Sequence, residues 1–267
     1  MKSIYKYLAL IGLMLLVLAA CKSEDDNNEE PAPTDPTAEN KKALGLSAGD
    51  LLSGGTYKSL TVEFAYAPNF RPKDETLSAF RTMLNERINK PGGINFVQTV
   101  IDEQPNAPFT IQEIRDIEDN VRTQYTDGDN IAVFVFFSNG SSQNDEGNSV
   151  TLGTAYRNTS VVVYQNTLRV ITNDIPDEQI FLETFTLNHE FGHILGLTNI
   201  QNDDIHANHE DTVNTKHCFV DDCLMFFELN RMPGRDVETL VQLSKSRMPV
   251  PTFDSLCIED LQAKGGK

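Results

Sequence analysis

The chain has 267 residues, 39% of them hydrophobic, and its 39 acidic against 22 basic side chains give a formal charge of −17. This length suits one sizeable core rather than two independent domains. The acidic balance excludes the electrostatic attraction on which nucleic-acid binding depends, and four cysteines are too few for a scaffold built on disulfides.

The first residues have the pattern of an export signal. Lys2 and Lys6 precede an apolar run, residues 8–20, that is too short to span a bilayer. The run ends in Leu18-Ala19-Ala20-Cys21, which resembles the lipobox of bacterial lipoproteins. This resemblance implies a signal peptide over residues 1–20, cleavage before Cys21 and lipidation of its thiol, so that acyl chains hold the mature protein at a membrane. The alternative is a plain secretory signal with an incidental cysteine.

Residues 21–43 are polar and contain prolines, and we predict that they form a disordered acidic tether. An acidic stretch directly after a lipidated cysteine resembles the surface-export signal of some Gram-negative lipoproteins. That resemblance implies an exported protein anchored at the outer membrane, with the cell surface as one option. Residues 44–267 are then left to form the folded domain.

Within this domain the spacing of apolar residues predicts alternating strands and helices. The predicted strands are Leu60–Tyr66, Ile94–Ile101, Asn130–Phe137, Thr151–Tyr156 and Ser160–Tyr164. The predicted helices are Asp74–Asn89, Thr110–Tyr125, a long one from Asp174 to Leu195 that stops at Gly196, and Asp236–Ser246. The continuous apolar run over 130–137 is typical of a central strand covered on both faces. The order predicts an α/β (α+β) fold with a mixed twisted sheet, followed by a small loop-rich C-terminal part and an irregular tail.

The long predicted helix contains His189-Glu190-Phe191-Gly192-His193. Residues at i and i+4 lie on one helix face, so both imidazoles can reach a single metal ion. Glu190 lies beside the first of them, where it can act as a general base. All five histidines fall between positions 189 and 217, and clustering of this kind is expected of the ligands of one zinc ion rather than of structural histidines.

Residues 189–197, HEFGHILGL, resemble the zinc helix of the metzincin metallopeptidases, whose pattern is HExxHxxGxxH. The resemblance implies a zincin fold with an upper subdomain, 44–196, and a lower subdomain, 197–267. It also implies that Gly196 turns the chain toward a third ligand, and that a methionine turn lies beneath the metal. The chain departs from the pattern because Asn199 stands at the third-ligand position, where a neutral amide is a poor zinc ligand.

Further on, His217, Cys218, Cys223 and Met225 have the spacing HCx4CxM, which resembles the stretch from third histidine to Met-turn in the archaemetzincins. This resemblance implies His217 as third ligand, Met225 as the Met-turn and an inserted loop over 197–216. His209 is the second candidate for third ligand, and His206 is the last. The downstream CxxC pair of that family is absent, so a second, structural zinc site is not predicted.

The remaining cysteines and acidic residues are interpreted without catalytic roles. Cys218 and Cys223 are close enough to be bridged, and an exported protein meets an oxidising environment, so we predict a disulfide between them. Cys257 is then left over, or pairs with one of the two instead. The inserted loop also contains four acidic residues, Asp203, Asp204, Glu210 and Asp211. Carboxylates can bind calcium, but we interpret these four as a solvated surface.

Together these patterns predict a zinc-dependent endopeptidase, with a zinc-bound water as nucleophile and Glu190 as general base. A peptide or protein substrate is expected to lie as an added strand along the sheet edge Thr151–Tyr156. The competing hypothesis is a non-catalytic surface lipoprotein, a binding module with a structural zinc or no metal. We expect a monomer attached to the membrane by its lipid anchor, with no nucleic-acid partner.

Overall fold

A five-stranded mixed sheet lies at the centre of the described part of the chain. The computed structural model describes residues 35–147, 149–226, 242, 245 and 249–267. The strands are β1 (Ser59–Tyr66), β2 (Ile94–Val100), β3 (Asn130–Phe137), β4 (Gly153–Arg157) and β5 (Ser160–Val163), in the spatial order β2-β1-β3-β5-β4. Strands β2, β1, β3 and β5 are parallel, and β4 pairs with β5 in the antiparallel sense. The predicted mixed α/β class is confirmed.

Helices cover both faces of this sheet. They are α1 (Ala48–Leu52), α2 (Asp74–Arg87), α3 (Ile111–Val121), α4 (Gln165–Thr172), α5 (Pro176–Ile194) and α6 (Ser255–Ala263). A capping box begins α3: Thr110 Oγ1 accepts a hydrogen bond from the Glu113 amide at 3.1 Å, and the Glu113 carboxylate accepts one from the Thr110 amide at 2.8 Å.

The central strand β3 separates two apolar layers because successive side chains point to opposite faces. Val135 and Phe137 pack into the larger core, which includes residues of α2 and α5. Phe134 and Phe136 pack into a smaller core that includes Ile114 of α3. Seven of the eight residues of β3 are buried, as the continuous apolar run predicted.

The long helix begins later than predicted, and a separate helix precedes it. Asn173 and Asp174 have φ angles of 49° and 57°, in the left-handed region, so the chain turns sharply between α4 and α5. Arg169 Nε donates to the Asp174 carboxylate at 2.7 Å and fixes this turn. Asp174 is therefore a turn residue and not the first residue of the long helix, since α5 starts at Pro176. The tail, predicted to be irregular, contains α6, whose N-cap is Asp254.

The folded unit also begins before the predicted boundary at residue 44. Asn40 is fully buried, and its side-chain amide donates to the Ala132 carbonyl at 2.9 Å and to Thr159 Oγ1 at 3.0 Å. The end of the predicted tether is thus ordered, because one buried amide is satisfied by a residue of β3 and by a residue of the turn between β4 and β5.

Three of the sequence predictions lie outside the described residues. They are the signal peptide with Cys21, the tether up to residue 34, and the helix Asp236–Ser246 except for residues 242 and 245, which are helical. Among the residues that are described, no helix combines the length and the apolarity that crossing a bilayer would require.

Candidate metal centre

Helix α5 places Glu190 and His193 on the wall of a cavity beside the sheet, and His189 lies buried one helical turn before His193. The helix packs against β4 and β5, and His189 is fully buried while Glu190 and His193 are almost so. One helical turn separates the two imidazoles, whose ring centroids lie 4.9 Å apart. The helix ends where the sequence predicted, since Gly196 has a φ of 91°, a conformation that glycine adopts without strain.

His217 joins these two imidazoles from the other end of the inserted loop. Its ring centroid lies 5.3 Å from that of His189 and 5.1 Å from that of His193. One ligand atom from each of the three residues can be chosen so that all lie within 4.8 Å of one another. Backbone hydrogen bonds hold His217 there, because its carbonyl accepts from the Asp211 amide at 2.7 Å and the next amide, of Cys218, donates to the Met225 carbonyl at 2.9 Å.

Hydrogen bonds to carbonyl groups determine which nitrogen of each ring carries the proton. Nδ1 contacts the carbonyl of Leu224 at 2.7 Å in His189, that of Leu197 at 3.0 Å in His193 and that of Thr215 at 3.1 Å in His217. A carbonyl oxygen can only accept, so each Nδ1 carries the proton and each Nε2 keeps its lone pair. Protein metal sites orient imidazole ligands by the same kind of hydrogen bond.

The three rings are neutral, as zinc ligands must be. Burial, followed by the neighbouring His217, lowers the pKa of His193 to about 3. Burial also lowers the pKa of His189 well below its usual value and lowers that of His217. The Nε2 of His189 has no hydrogen-bond partner among the described residues although the ring is fully buried, a costly arrangement that a bound cation would relieve. The donor set therefore fits a zinc ion.

Glu190 is held between the helix and the edge strand. Its Oε2 accepts a hydrogen bond from the Ala155 amide of β4 at 2.8 Å. At Gly153 an added Cβ would lie only 2.7 Å from Glu190 Cγ, so the carboxylate occupies space that only a glycine leaves open. Glu190, His193 and His217 line a cavity of about 510 Å³ together with Gly153, Thr154 and Ala155.

Met225 lies beneath helix α5. The residue is fully buried, and a Cβ added at Gly192 would come 2.4 Å from its Sδ, so sulfur and helix backbone are in close contact. Gly192 lies between His189 and His193 on α5. The thioether therefore supports the backbone from which both imidazoles project, the position that the Met-turn resemblance implied.

The predicted disulfide between Cys218 and Cys223 is absent, because a third cysteine and a carboxylate share their site. All three cysteines are buried and free, and Cys218, Cys223, Cys257 and Asp254 form a second group whose ligand atoms lie within 4.8 Å of one another. The sulfurs of Cys223 and Cys257 are 3.6 Å apart, and Cys218 Sγ lies 3.0 Å from Asp254 Oδ2. Two thiolates bound tetrahedrally to one zinc ion would be about 3.8 Å apart.

Backbone amides solvate two of these sulfurs, as is usual around metal thiolates. The Val220 amide donates to Cys218 Sγ at 3.4 Å, and the Met225 amide donates to Cys223 Sγ at 3.3 Å. Hydrogen bonds from Cys218 and Cys257 lower the pKa of Cys223 to about 5. This group was not predicted from the sequence, because the chain has Asp254-Ser255-Leu256-Cys257 where a CxxC pair was expected. A carboxylate three residues before a cysteine was the available signal.

The other sequence candidates for third ligand lie in a different group. His209 is placed with Asp204 and Asp260, and the Nδ1 of His206 lies 3.1 Å from Asp260 Oδ1. Asn199 binds within its own loop, since its amide donates to Asp204 Oδ2 at 2.5 Å. His217 is thus the histidine that the fold brings to His189 and His193.

No protein-family model matches the sequence, and no curated protein sequence matches it. Among solved structures, the chain is similar to the crystal structure of archaemetzincin from Methanopyrus kandleri. The superposition has a TM-score of 0.45 at 16% sequence identity and covers 79% of this chain and 96% of that chain.

Proposed function

We propose that the protein is a zinc-dependent endopeptidase of the metzincin type, with His189, His193 and His217 as ligands and Glu190 as general base. The observation that carries the proposal is the convergence of three imidazoles, each with its proton on Nδ1, beside a cavity that Glu190, His193 and His217 line. Three neutral histidines are the ligand set of a catalytic zinc site with one open position.

When bound, zinc supplies a Lewis acid that polarises a carbonyl group and lowers the pKa of water toward neutrality. The protein's part is to hold and move the proton. Glu190 presents its carboxylate to the cavity, held in place by the Ala155 amide on Oε2 and by the close contact with Gly153. In this position it accepts a proton from the attacking water and passes it to the leaving amine.

The edge strand β4 supports an extended peptide as the substrate. It is the last strand of the sheet, with β5 as its one partner among the described strands, and Gly153, Thr154 and Ala155 line the cavity. A peptide added along such an edge is bound through main-chain hydrogen bonds, which gives affinity with little dependence on sequence. We therefore expect cleavage of unstructured protein chains rather than of one short motif.

We assign a structural zinc ion to Cys218, Cys223, Cys257 and Asp254. A closed set of four protein ligands is typical of structural sites. The group joins the loop that follows His217 to the first turn of α6, which explains how a chain that we expect to be exported keeps three buried cysteines unpaired.

Export and lipid anchoring remain part of the proposal on the basis of the sequence Leu18-Ala19-Ala20-Cys21. The mature protein extracted from membranes is expected to begin at a cysteine that carries acyl chains, and mass spectrometry of its N-terminal peptide measures this. Cys21→Ala is expected to move the protein from the membrane to the soluble fraction. An unmodified Cys21 in mature protein would contradict the anchor and leave the catalytic proposal standing.

The competing hypothesis, a non-catalytic binding module with a structural zinc, requires a fourth protein ligand at the histidine site. The His, Cys, Asp and Glu residues that the structure describes supply three ligands there, and His209 belongs to another group. The geometry therefore favours the enzyme.

Cleavage of casein by purified protein tests this function. Glu190→Gln keeps the size of the side chain but cannot accept the proton, so we expect unchanged zinc content and a 10²–10⁴-fold loss of activity. Glu178→Gln is the matched control, because Glu178 lies on the first turn of the same helix and does not line the cavity. Undiminished cleavage by the Glu190 variant, or zinc-loaded wild type that never cleaves, would refute the enzyme.

A further inference from the structure

A third group of potential metal ligands joins the inserted loop to the C-terminal helix. Asp204 and His209 lie in the loop, Asp260 lies on α6, and one ligand atom from each can be chosen so that all three lie within 4.8 Å of one another. None of the three belongs to the histidine site or to the cysteine group, and the proposed endopeptidase mechanism uses none of them.

Unsatisfied polar atoms point into this group. His209 is 1% exposed and Asp260 is fully buried. Neither ring nitrogen of His209 has a hydrogen-bond partner among the described residues, and neither has Asp260 Oδ2. Leaving such atoms buried and unpaired costs about 1–3 kcal/mol each, so native proteins rarely do so without a ligand or water.

The spacing of these atoms is that of two ligands on one ion. His209 Nε2 lies 3.5 Å from Asp260 Oδ2, which is longer than the usual N–H···O hydrogen bond. A nitrogen and an oxygen bound tetrahedrally at zinc distances would be about 3.4 Å apart. The separation thus suits two ligands of one metal ion better than it suits a hydrogen bond.

The charge around the group favours a cation. Four carboxylates, those of Asp203, Asp204, Glu259 and Asp260, surround the group, and the Lys264 ammonium is the one Lys or Arg side chain that the structure pairs with any of them. Lys264 Nζ contacts Asp203 Oδ1 at 2.9 Å and Asp204 Oδ1 at 2.5 Å. The side chains of Asp203 and Glu259 are 51% and 53% exposed, so water screens their charges, whereas those of Asp204 and Asp260 are fully buried. Lys264 balances one of these two buried charges, which leaves one uncompensated when the histidines are neutral.

Neighbouring groups also orient the carboxylates, as the surroundings of metal ligands do. Asp260 Oδ1 accepts from the His206 amide at 3.0 Å, and the His206 ring lies 3.1 Å from the same oxygen. Asp204 Oδ2 accepts from the Asn199 amide. Asp260 is thus fixed through Oδ1 while its Oδ2 turns toward His209, and Asp204 is fixed through both oxygens, Oδ1 by Lys264 and Oδ2 by Asn199.

We propose that Asp204, His209 and Asp260 bind a divalent transition-metal ion of the zinc class, separate from the catalytic and the cysteine-bound ions. The imidazole nitrogen distinguishes the site from a calcium site, which takes oxygen ligands. The ion ties the inserted loop, 197–216, to α6, so the loop that leads to His217 is fixed at a second point.

The number of zinc ions bound per chain, compared between variants and wild type, tests the site. Asp260→Asn and His209→Gln are each expected to bind one zinc ion per chain fewer than wild type, measured by elemental mass spectrometry after dialysis. Asp203→Asn is the matched control, because Asp203 contacts Lys264 but is not one of the three ligands. The comparison is independent of the proposed function, since an empty catalytic site lowers wild type and variants equally. If both variants kept the wild-type zinc content, the proposal would be overturned, and His209 and Asp260 would form an ion pair only.

Nitrogen NMR of wild-type protein with labelled histidines gives a second answer that does not depend on the folding of any variant. The chain has five histidines. If His209 binds metal, its ring nitrogens shift on zinc addition together with those of His189, His193 and His217, while His206 keeps its hydrogen bond to Asp260. A response confined to the three residues of the histidine site would overturn the proposal, and a response of His209 alone would support it while refuting the catalytic site.

Discussion

Replacing Gly153 with alanine should damage catalysis without removing any group that reacts or binds metal. The new Cβ would lie 2.7 Å from Glu190 Cγ and 2.7 Å from Thr186 Cγ2, whereas ordinary contact begins at 3.4 Å. The Glu190 side chain must therefore move by 0.7 Å, the difference between these two distances. A misplacement of about 1 Å can cost about 10²-fold in rate, so we expect kcat/KM to fall by roughly 10–100-fold.

The same crowding sets the expected stability of the Gly153→Ala variant. Extra methyl groups in a packed interior typically cost about 1–3 kcal/mol, and urea unfolding should show a loss in this range. Zinc content should stay that of wild type, because the three atoms nearest the new methyl group belong to Glu190 and Thr186 and none to the histidines. Initial rates on a fluorogenic peptide, zinc analysis and urea unfolding together separate a displaced base from a lost metal.

Gly49→Ala is the matched control for this substitution. A Cβ at Gly49 would lie 3.6 Å from the Lys264 carbonyl, an ordinary contact, and the residue is helical. We expect unchanged cleavage and a gain of up to about 1 kcal/mol in stability. If Gly153→Ala cleaved peptide as fast as wild type while Glu190→Gln were inactive, the inferred link between β4 and the position of the base would be wrong.

Three further predictions concern the fold and the metal. Thr110→Ala removes the capping box of α3 and should lower the free energy of unfolding by about 1 kcal/mol in urea titrations. A hydrogen bond from Arg157 lowers the pKa of Asp119, so its stabilisation is fully present above pH 3.8 and is lost as the pH falls through the lowered pKa. Asp119→Asn should therefore cost under about 1 kcal/mol at pH 7, because the pair is partly exposed, and progressively less in acid. Dialysis against a chelator should abolish cleavage and lower the melting temperature, and added zinc should restore both.

Each of these has a result that would contradict it. Equal unfolding midpoints for the Thr110 variant and wild type would show that the cap contributes nothing. An Asp119 variant whose stability deficit persists in acid would mean that the deficit does not come from the carboxylate charge. Cleavage that survives chelation to trace zinc levels would exclude metal from the reaction.

The parts of the fold set by local periodicity could be predicted. The apolar run of β3 is long enough to require cover on both faces, and the structure supplies that cover on both sides. The spacing of His189 and His193 depends only on the helix, so their proximity follows from the sequence alone. In the same way, Gly196 marks the end of α5 because its φ suits glycine.

The parts set by contacts distant in sequence could not. Asn40 belongs to a polar stretch, and nothing near it indicates that Ala132 and Thr159 will satisfy its amide. The spacing of Cys218 and Cys223 indicates a disulfide until the fold brings Cys257 to the same place. His209 stands near other histidines in the sequence, and only the packing of α6 against the inserted loop places it beside Asp260.

The anomalous scattering of zinc in crystals of the zinc-loaded protein tests the central proposal most directly. We expect a peak within about 2.0–2.1 Å of the Nε2 atoms of His189, His193 and His217, with no fourth protein ligand. A map with no peak between these three rings, or with a peak closed by a fourth side chain, would contradict the account.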